Sequence, residues 1–227
     1  MRKPLPFALA VLAFAVLGCA GPNQITYNTG IESVERPTDT KERYGEYTVT
    51  RQDTTDGSKY IYEDDLIRAG WLYSGGSMLL TLKNKSEHSI QARLEQGAFV
   101  MPDGGSERIL LGDMSYANRN QEVQPITVPS GASTSTVLIP EGNVGFNEYS
   151  GVTVDDIFSP TRLVRTDPDT PEDVENNIGK TFSVLLPLEI QGTVNEYTFT
   201  FEVIGAKIGE GAAVEPQVFG DYPGEQD

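Results

Sequence analysis

Residues 181–204, TFSVLLPLEIQGTVNEYTFTFEVI, decide the fold class of this chain. Apolar side chains recur at every second position on both sides of Gly192, which is the period of a β-strand with one buried face. The pattern predicts an antiparallel hairpin with a turn over residues 191–194. The predicted inward faces are Phe182, Val184, Leu186, Leu188 and Ile190 in the first strand and Tyr197, Phe199, Phe201 and Val203 in the second.

The same period of two extends over most of residues 46–206, where Gly, Pro, Asn and Asp mark turns. It predicts further strands at 46–51, 58–62, 67–73, 78–83, 90–94, 107–111, 123–128 and 133–139. No window shows the period of an amphipathic helix. About nine or ten short strands favour an all-β fold, namely an antiparallel β-sandwich with immunoglobulin-like packing. A closed barrel is the alternative.

The composition excludes several classes of function. The chain of 227 residues has 17 Lys and Arg against 33 Asp and Glu, which gives a net charge of −16. Such a field repels phosphate backbones, so nucleic-acid binding is not expected. One His and one Cys are too few for a Cys/His zinc site or a disulfide framework.

The N-terminus has the features of a secretory signal peptide. Arg2 and Lys3 precede Leu5–Leu17, a run of apolar or small residues interrupted only by Pro6. As a helix this run spans about 20 Å, too short for a stable transmembrane anchor. The next residues, Val16-Leu17-Gly18-Cys19, resemble the lipobox of bacterial lipoproteins.

The lipobox resemblance implies cleavage between Gly18 and Cys19 and a lipid on the Cys19 thiol. A thiolate is the nucleophile that such a lipid transfer needs. The resulting acyl chains would anchor the protein to a membrane without spanning it. Because Ala20 rather than Asp follows Cys19, the resemblance also implies the outer membrane in a host with two membranes.

The resemblance and the composition together divide the chain into segments. Residues 1–18 are the predicted lipoprotein signal peptide, and 19–45 begin with the N-terminus whose acylation the lipobox resemblance implies. The remainder of 19–45 is a predicted flexible tether, because it shows no sustained apolar period. Residues 46–206 form the predicted sandwich domain, and 207–227 an acidic flexible tail. Within the domain, residues 140–180 form a long excursion.

Several motifs in the domain resemble those of an uncharacterised family of bacterial envelope lipoproteins. The resemblance implies fold and location but no activity. It is carried by Tyr62-Glu63-Asp64-Asp65-Leu66-Ile67, Asn84-Lys85-Ser86-Glu87-His88-Ser89-Ile90, Ala98-Phe99-Val100, Tyr116-Ala117-Asn118-Arg119-Asn120, Val128-Pro129-Ser130-Gly131-Ala132 and Pro140-Glu141-Gly142-Asn143-Val144.

Three features offer candidate chemistry. Asp167, Asp169, Glu172 and Asp173 could supply oxygen ligands to a weakly bound Ca²⁺, although an acidic solvated loop is the favoured interpretation. His88 follows a predicted turn and has no second His, and no Gly-x-Ser-x-Gly motif presents a nucleophile, so an exposed or turn-bonding histidine is expected. No catalytic residue is assigned.

The third feature is an acidic stretch, residues 63–65, near four aromatic side chains. Carboxylates beside aromatic rings are typical of carbohydrate binding or glycoside hydrolysis. A charged turn leading into the strand at Leu66 is favoured, because adjacent strand residues face opposite sides. The aromatic residues are Tyr60, Tyr62, Trp71 and Tyr73.

Together these patterns predict a membrane-anchored envelope lipoprotein, not an enzyme, whose sandwich binds or assembles with an envelope protein. The alternative is a carbohydrate-binding or glycoside-processing surface lipoprotein. No cofactor is expected beyond the weak Ca²⁺.

Overall fold

The fold is that of a computed structural model, which describes residues 24–37, 44–54, 57–147, 151–158 and 175–209. Most of these residues lie in strands, and three short segments form 3₁₀ helices. The strands are β1 (Gln24–Glu35), β2 (Thr48–Thr54), β3 (Gly57–Glu63), β4 (Ile67–Ser74), β5 (Ser77–Asn84), β6 (Ile90–Ala92), β7 (Ala98–Val100), β8 (Ser106–Leu111), β9 (Ile126–Val128), β10 (Ser133–Pro140), β11 (Val144–Asn147), β12 (Gly151–Val154), β13 (Thr181–Ile190) and β14 (Thr193–Gly209). The 3₁₀ helices are Leu94–Gln96, Tyr116–Asn118 and Glu141–Asn143.

The predicted hairpin is present as β13 and β14, which pair from Thr181↔Glu202 to Ile190↔Thr193. Its turn is shorter than expected. Gln191 and Gly192 alone connect the strands, with φ angles of 53° and 78°. Positive φ at both central residues suits a two-residue hairpin turn, whose twist matches that of the flanking strands.

The strands form a sandwich-like arrangement of two antiparallel layers. Along the hydrogen-bonded path the order is β1-β14-β13-β7-β8-β10-β5-β4-β3-β2, and β6 joins β13 to β9. The path folds over at β7 and β8, so that β4 faces β14. Trp71 of β4 packs against Phe199 of β14 with ring centroids 4.9 Å apart. The all-β antiparallel sandwich is therefore confirmed, while its immunoglobulin-like form stays a prediction.

The core lies between the layers and consists of the side chains that the period of two places inward. All nine inward residues predicted for β13 and β14 are buried. On the facing layer, Ala69, Trp71, Leu80 and Leu82 are at most 1% exposed. Burial of apolar surface at about 25 cal/mol per Å² is the main force holding the layers together.

The flexible tether predicted for residues 19–45 is wrong for residues 24–35, which form β1. This strand pairs along β14, with register shifts between Asn28 and Thr29 and between Ile31 and Ser33. Each shift changes which residues face the core, so β1 lacks a regular period of two in its sequence. The domain therefore begins before residue 46.

Two further boundaries differ from expectation. β14 continues to Gly209, three residues into the predicted tail. The excursion from residue 140 contains the hairpin of β11 and β12. Val144, Val152 and Val154 of this hairpin cover Leu110 and Ile139, whose side chains form a second small apolar cluster.

Within the part of the chain that the structure describes, no helix is long and apolar enough to span a bilayer.

Candidate functional site

Two of the sites predicted from the sequence lie outside the described residues. These are the lipobox, with Gly18 and Cys19, and the acidic stretch with Asp167, Asp169, Glu172 and Asp173. Their lipidation and weak Ca²⁺ binding stay predictions. Among the residues that are described, no group of three or more His, Cys, Asp or Glu side chains is arranged to hold a metal ion.

The aromatic residues proposed for sugar contact belong to the core. Tyr62 is fully buried, Trp71 is 1% exposed and Tyr60 is 9% exposed. Tyr73 is half-buried and donates a hydrogen bond from its hydroxyl to Asp156 Oδ1 at 2.8 Å. A sugar stacks on an exposed ring, so this assignment is wrong for Tyr62 and Trp71, and the carbohydrate alternative loses its main support.

The acidic stretch 63–65 forms the predicted turn, but Asp64 is 3% exposed rather than solvated. Its Oδ1 accepts hydrogen bonds from the backbone N–H groups of Leu66 and Ile67, at 2.9 and 2.8 Å. Its Oδ2 accepts from the hydroxyls of Tyr62 and Tyr197, at 2.8 and 3.3 Å. Four donors therefore satisfy one buried carboxylate.

The two tyrosine hydroxyls stay protonated donors. Burial raises the pKa of Tyr62 and of Tyr197 well above the usual value, and the nearby Asp64 charge raises both further. Since Tyr197 is in β14 and Asp64 precedes β4, the cluster ties the two layers together at one end of the core. It is a structural anchor with no lone pair left over for a substrate.

A second polar cluster fixes the turn after β5. Asn84 Nδ2 donates to the carbonyls of His88 and Val128, at 2.7 and 2.9 Å. Asn84 Oδ1 accepts from the N–H and hydroxyl of Ser86, at 2.9 and 2.7 Å. The His88 side chain is exposed, as expected, and the family-like segment here has a structural role.

The sequence did not single out the outer face of the layer that contains β3, β4 and β5. A half-open groove of about 250 Å³ crosses this face. Its lining includes three cationic side chains, which come from β3, β4 and β5. The lining residues are Gln52, Lys59, Ile61, Arg68, Gly70, Thr81, Lys83 and Ser133.

The edge of this same layer is β2, whose seven residues are all exposed. β2 pairs with β3 on one side and, among the described residues, is the last strand of the sheet path. The sequence predicted a strand at 46–51, and β2 lies at Thr48–Thr54. Its position at the edge was not predicted, because strand order depends on long-range pairing.

Comparisons of the chain with protein-family models, curated proteins and solved structures find no match. The resemblance to envelope lipoproteins therefore stays a prediction, and the function has to be argued from the residues themselves.

Proposed function

We propose that this chain is a lipid-anchored lipoprotein of the bacterial cell envelope, in the outer membrane if the host has two, whose sandwich is a non-enzymatic module that binds another envelope protein. The anchor is inferred from the basic n-region, the apolar run Leu5–Leu17 and the lipobox ending at Cys19. Two or three acyl chains, each contributing about 0.8 kcal/mol per buried CH₂, hold a soluble domain stably at a bilayer.

The non-enzymatic part of the proposal is supported by two buried polar side chains, Asp64 and Asn84. Asp64 and Asn84 are the buried polar side chains with the most hydrogen bonds around them, and each already has partners for both of its polar atoms. Groups that are saturated in this way hold a fold together and have no spare capacity for proton transfer.

The observation that carries the binding proposal is the exposure of β2 at the sheet edge. A terminal strand has backbone N–H and C=O groups directed away from its single neighbour, and an extended segment of another protein can pair with them. The strand at the other end of the sheet path, β1, differs from β2 because it lies close to another strand, β3. A Cβ built on Gly30 of β1 would lie 3.3 Å from the Tyr60 hydroxyl of β3.

The side chains of β2 give its edge little of the usual protection. Natural edge strands are commonly blocked by charged side chains, especially Lys, or by Pro. β2 contains neither Lys nor Pro, and its Arg51 is paired with Asp53 at 2.8 Å. The remaining side chains are Thr, Val and Gln, which suit a strand that accepts a second partner.

Site-specific photo-crosslinking in living cells tests this proposal. A photoreactive amino acid is placed at Thr48 or Thr50 in the full chain, and at Glu196 as the control. Glu196 is equally exposed but lies in β14, in the opposite layer. We expect both β2 positions to crosslink the same envelope protein, and Glu196 not to do so.

A product that forms equally from Glu196, or no protein product from either β2 position, would contradict binding at this edge. Because crosslinking reports position directly, it does not depend on whether a β2 substitution weakens the fold.

A further inference from the structure

The groove on the outer face gathers cations in a chain that is strongly acidic. Lys59 of β3, Arg68 of β4 and Lys83 of β5 all line it. The net charge of the chain is −16, with only 17 Lys and Arg in 227 residues. Three of these cations line one groove of about 250 Å³, which is a local positive cluster in a chain whose net charge is negative.

Strand register places these cations side by side. Arg68 lies directly opposite Lys83 in the pairing of β4 with β5. Like charges at directly opposite positions of a sheet destabilise it. Lys83 in turn lies opposite Ser133 of β10.

The Lys59 side chain extends from β3 across β4 and lines the same groove as Arg68 and Lys83. A Cβ on Gly70 would be 2.6 Å from Lys59 Cε and 3.2 Å from its Nζ. Gly70 therefore leaves the space that the Lys59 side chain occupies. A Cβ on Gly70 would also be 3.7 Å from Cβ of Thr81, its neighbour in the sheet, so the Lys59 ammonium group lies over β4 on the side of Thr81.

Glu63 neutralises this group of cations only in part. It contacts Lys85 at 2.9 Å and Arg68 at 3.6 Å, and so is shared between two cations. The Lys85 hydrogen bond and nearby positive charges hold the pKa of Glu63 below its usual value. Within the described residues, neither Lys59 nor Lys83 has an ion-pair partner.

We propose that this groove binds the phosphate group of a small soluble phosphate monoester. A phosphate monoester carries close to two negative charges at neutral pH, which Lys59 and Lys83 can balance, with the partly paired Arg68 beside them. Thr81, Ser133 and Gln52 add neutral hydrogen-bond donors at the rim. The volume suits one phosphate with a small organic group.

The charge of the whole protein favours a small ligand over a polyanion or a membrane. Salt screens interactions beyond about 8 Å, so a small ligand in the groove experiences mainly the local cations. A polyanion or an anionic bilayer would also experience the net charge of −16 that the chain carries as a whole, which repels it.

Titration calorimetry of the full chain with glycerol 3-phosphate at low ionic strength tests this inference. We expect saturable binding by the wild type. The double variant K59Q/K83Q should bind at least about tenfold more weakly, a loss of about 1.4 kcal/mol. K180Q/R119Q is the matched control, because it also removes two cations but neither of them lines the groove, and its affinity should stay within about twofold of the wild type.

A second variant separates shape from charge. Gly70→Val keeps every cation but fills the space now occupied by Lys59, and a Val is well tolerated in a strand. We expect it to lose binding as well. The inference is wrong if K59Q/K83Q binds glycerol 3-phosphate as tightly as the wild type does. It is also wrong if the wild type shows no saturable binding.

Vesicles that contain an anionic phospholipid distinguish the source of the phosphate. Binding of the delipidated chain to such vesicles, without binding of glycerol 3-phosphate, would contradict the proposal of a small soluble ligand. Phosphate binding in the groove does not depend on protein binding at β2. The crosslinking experiment and the titration can therefore fail independently.

Discussion

The carboxylate of Asp64 accepts a hydrogen bond from the Tyr197 hydroxyl, 3.3 Å away, although the two residues are 133 positions apart in the chain. Asp64 precedes β4 in one layer and Tyr197 is in β14 of the other. This contact and the 2.8 Å contact from Tyr62 place a charged group inside the aromatic end of the core. The cluster therefore fixes how the two layers meet.

Replacing Asp64 by Ala should destabilise the domain by about 3 kcal/mol, because two tyrosine hydroxyls and two backbone N–H groups lose a buried acceptor. Asp65→Ala is the matched control. Asp65 is exposed, so that variant should change the free energy of unfolding by less than about 0.5 kcal/mol. Urea denaturation measures both. Equal effects at the two positions would show that Asp64 is not an anchor.

Asp156 gives the stability a pH dependence. Burial raises its pKa above the usual 3.8, against the opposing effect of hydrogen bonds from Phe158 N–H and the Tyr73 hydroxyl. A raised pKa in the folded state stabilises the fold below the ordinary pKa, and this contribution is lost as pH rises through the folded value.

We therefore expect wild type to gain stability relative to Asp156→Asn as the pH falls from 7 towards 3.8. The asparagine does not titrate, so it provides the reference at each pH. Thermal unfolding of both proteins across this range measures the difference. A difference that is constant with pH, or that grows in favour of the variant on acidification, would contradict the account.

The Arg68 and Lys83 pair should cost stability. Lys83→Gln removes the repulsion between directly opposite cations and should stabilise the fold by about 0.2–1 kcal/mol. Arg51→Gln makes the same change in net charge but breaks an exposed ion pair, so it should be neutral or slightly destabilising. Chemical denaturation compares the two variants, and a larger loss for Lys83→Gln would refute the prediction.

The period of two was sufficient to predict the central strands and their buried faces. In β4 the same period places Ala69 and Trp71 on one face, and both are buried in the structure. The carbohydrate alternative treated some of these same residues as exposed, which conflicts with the pattern that identified the strand. Burial of aromatic residues in a strand follows from alternation more directly than a sugar site does.

Features that depend on strand pairing could not be predicted in this way. β1 was missed because its two register shifts break the alternation, so its sequence resembles a polar tether. The groove was missed because Lys59, Arg68 and Lys83 are 9 and 15 positions apart in the sequence. They become neighbours only through the register of β3, β4 and β5.

The lipid anchor makes a prediction about maturation. Cys19→Ala removes the thiol that would receive the lipid, so the variant should accumulate as an unprocessed precursor in the inner membrane. Immunoblotting of fractionated cells detects the size difference, and mass spectrometry of the wild type should find acyl chains on Cys19. His88→Ala, an exposed change far from the lipobox in sequence, is the control. Normal processing of Cys19→Ala would rule out the lipoprotein assignment.

Amide hydrogen exchange can detect whether β2 pairs with a partner strand in the envelope. Exchange at Thr48–Thr54 is measured by mass spectrometry in the purified chain and in isolated envelopes, with β13, which has neighbours on both sides, as the internal control. We expect exchange in β2 to be at least about tenfold slower in envelopes, with β13 unchanged, because strand addition protects the outward amides. Equal β2 exchange in the two preparations would contradict this pairing.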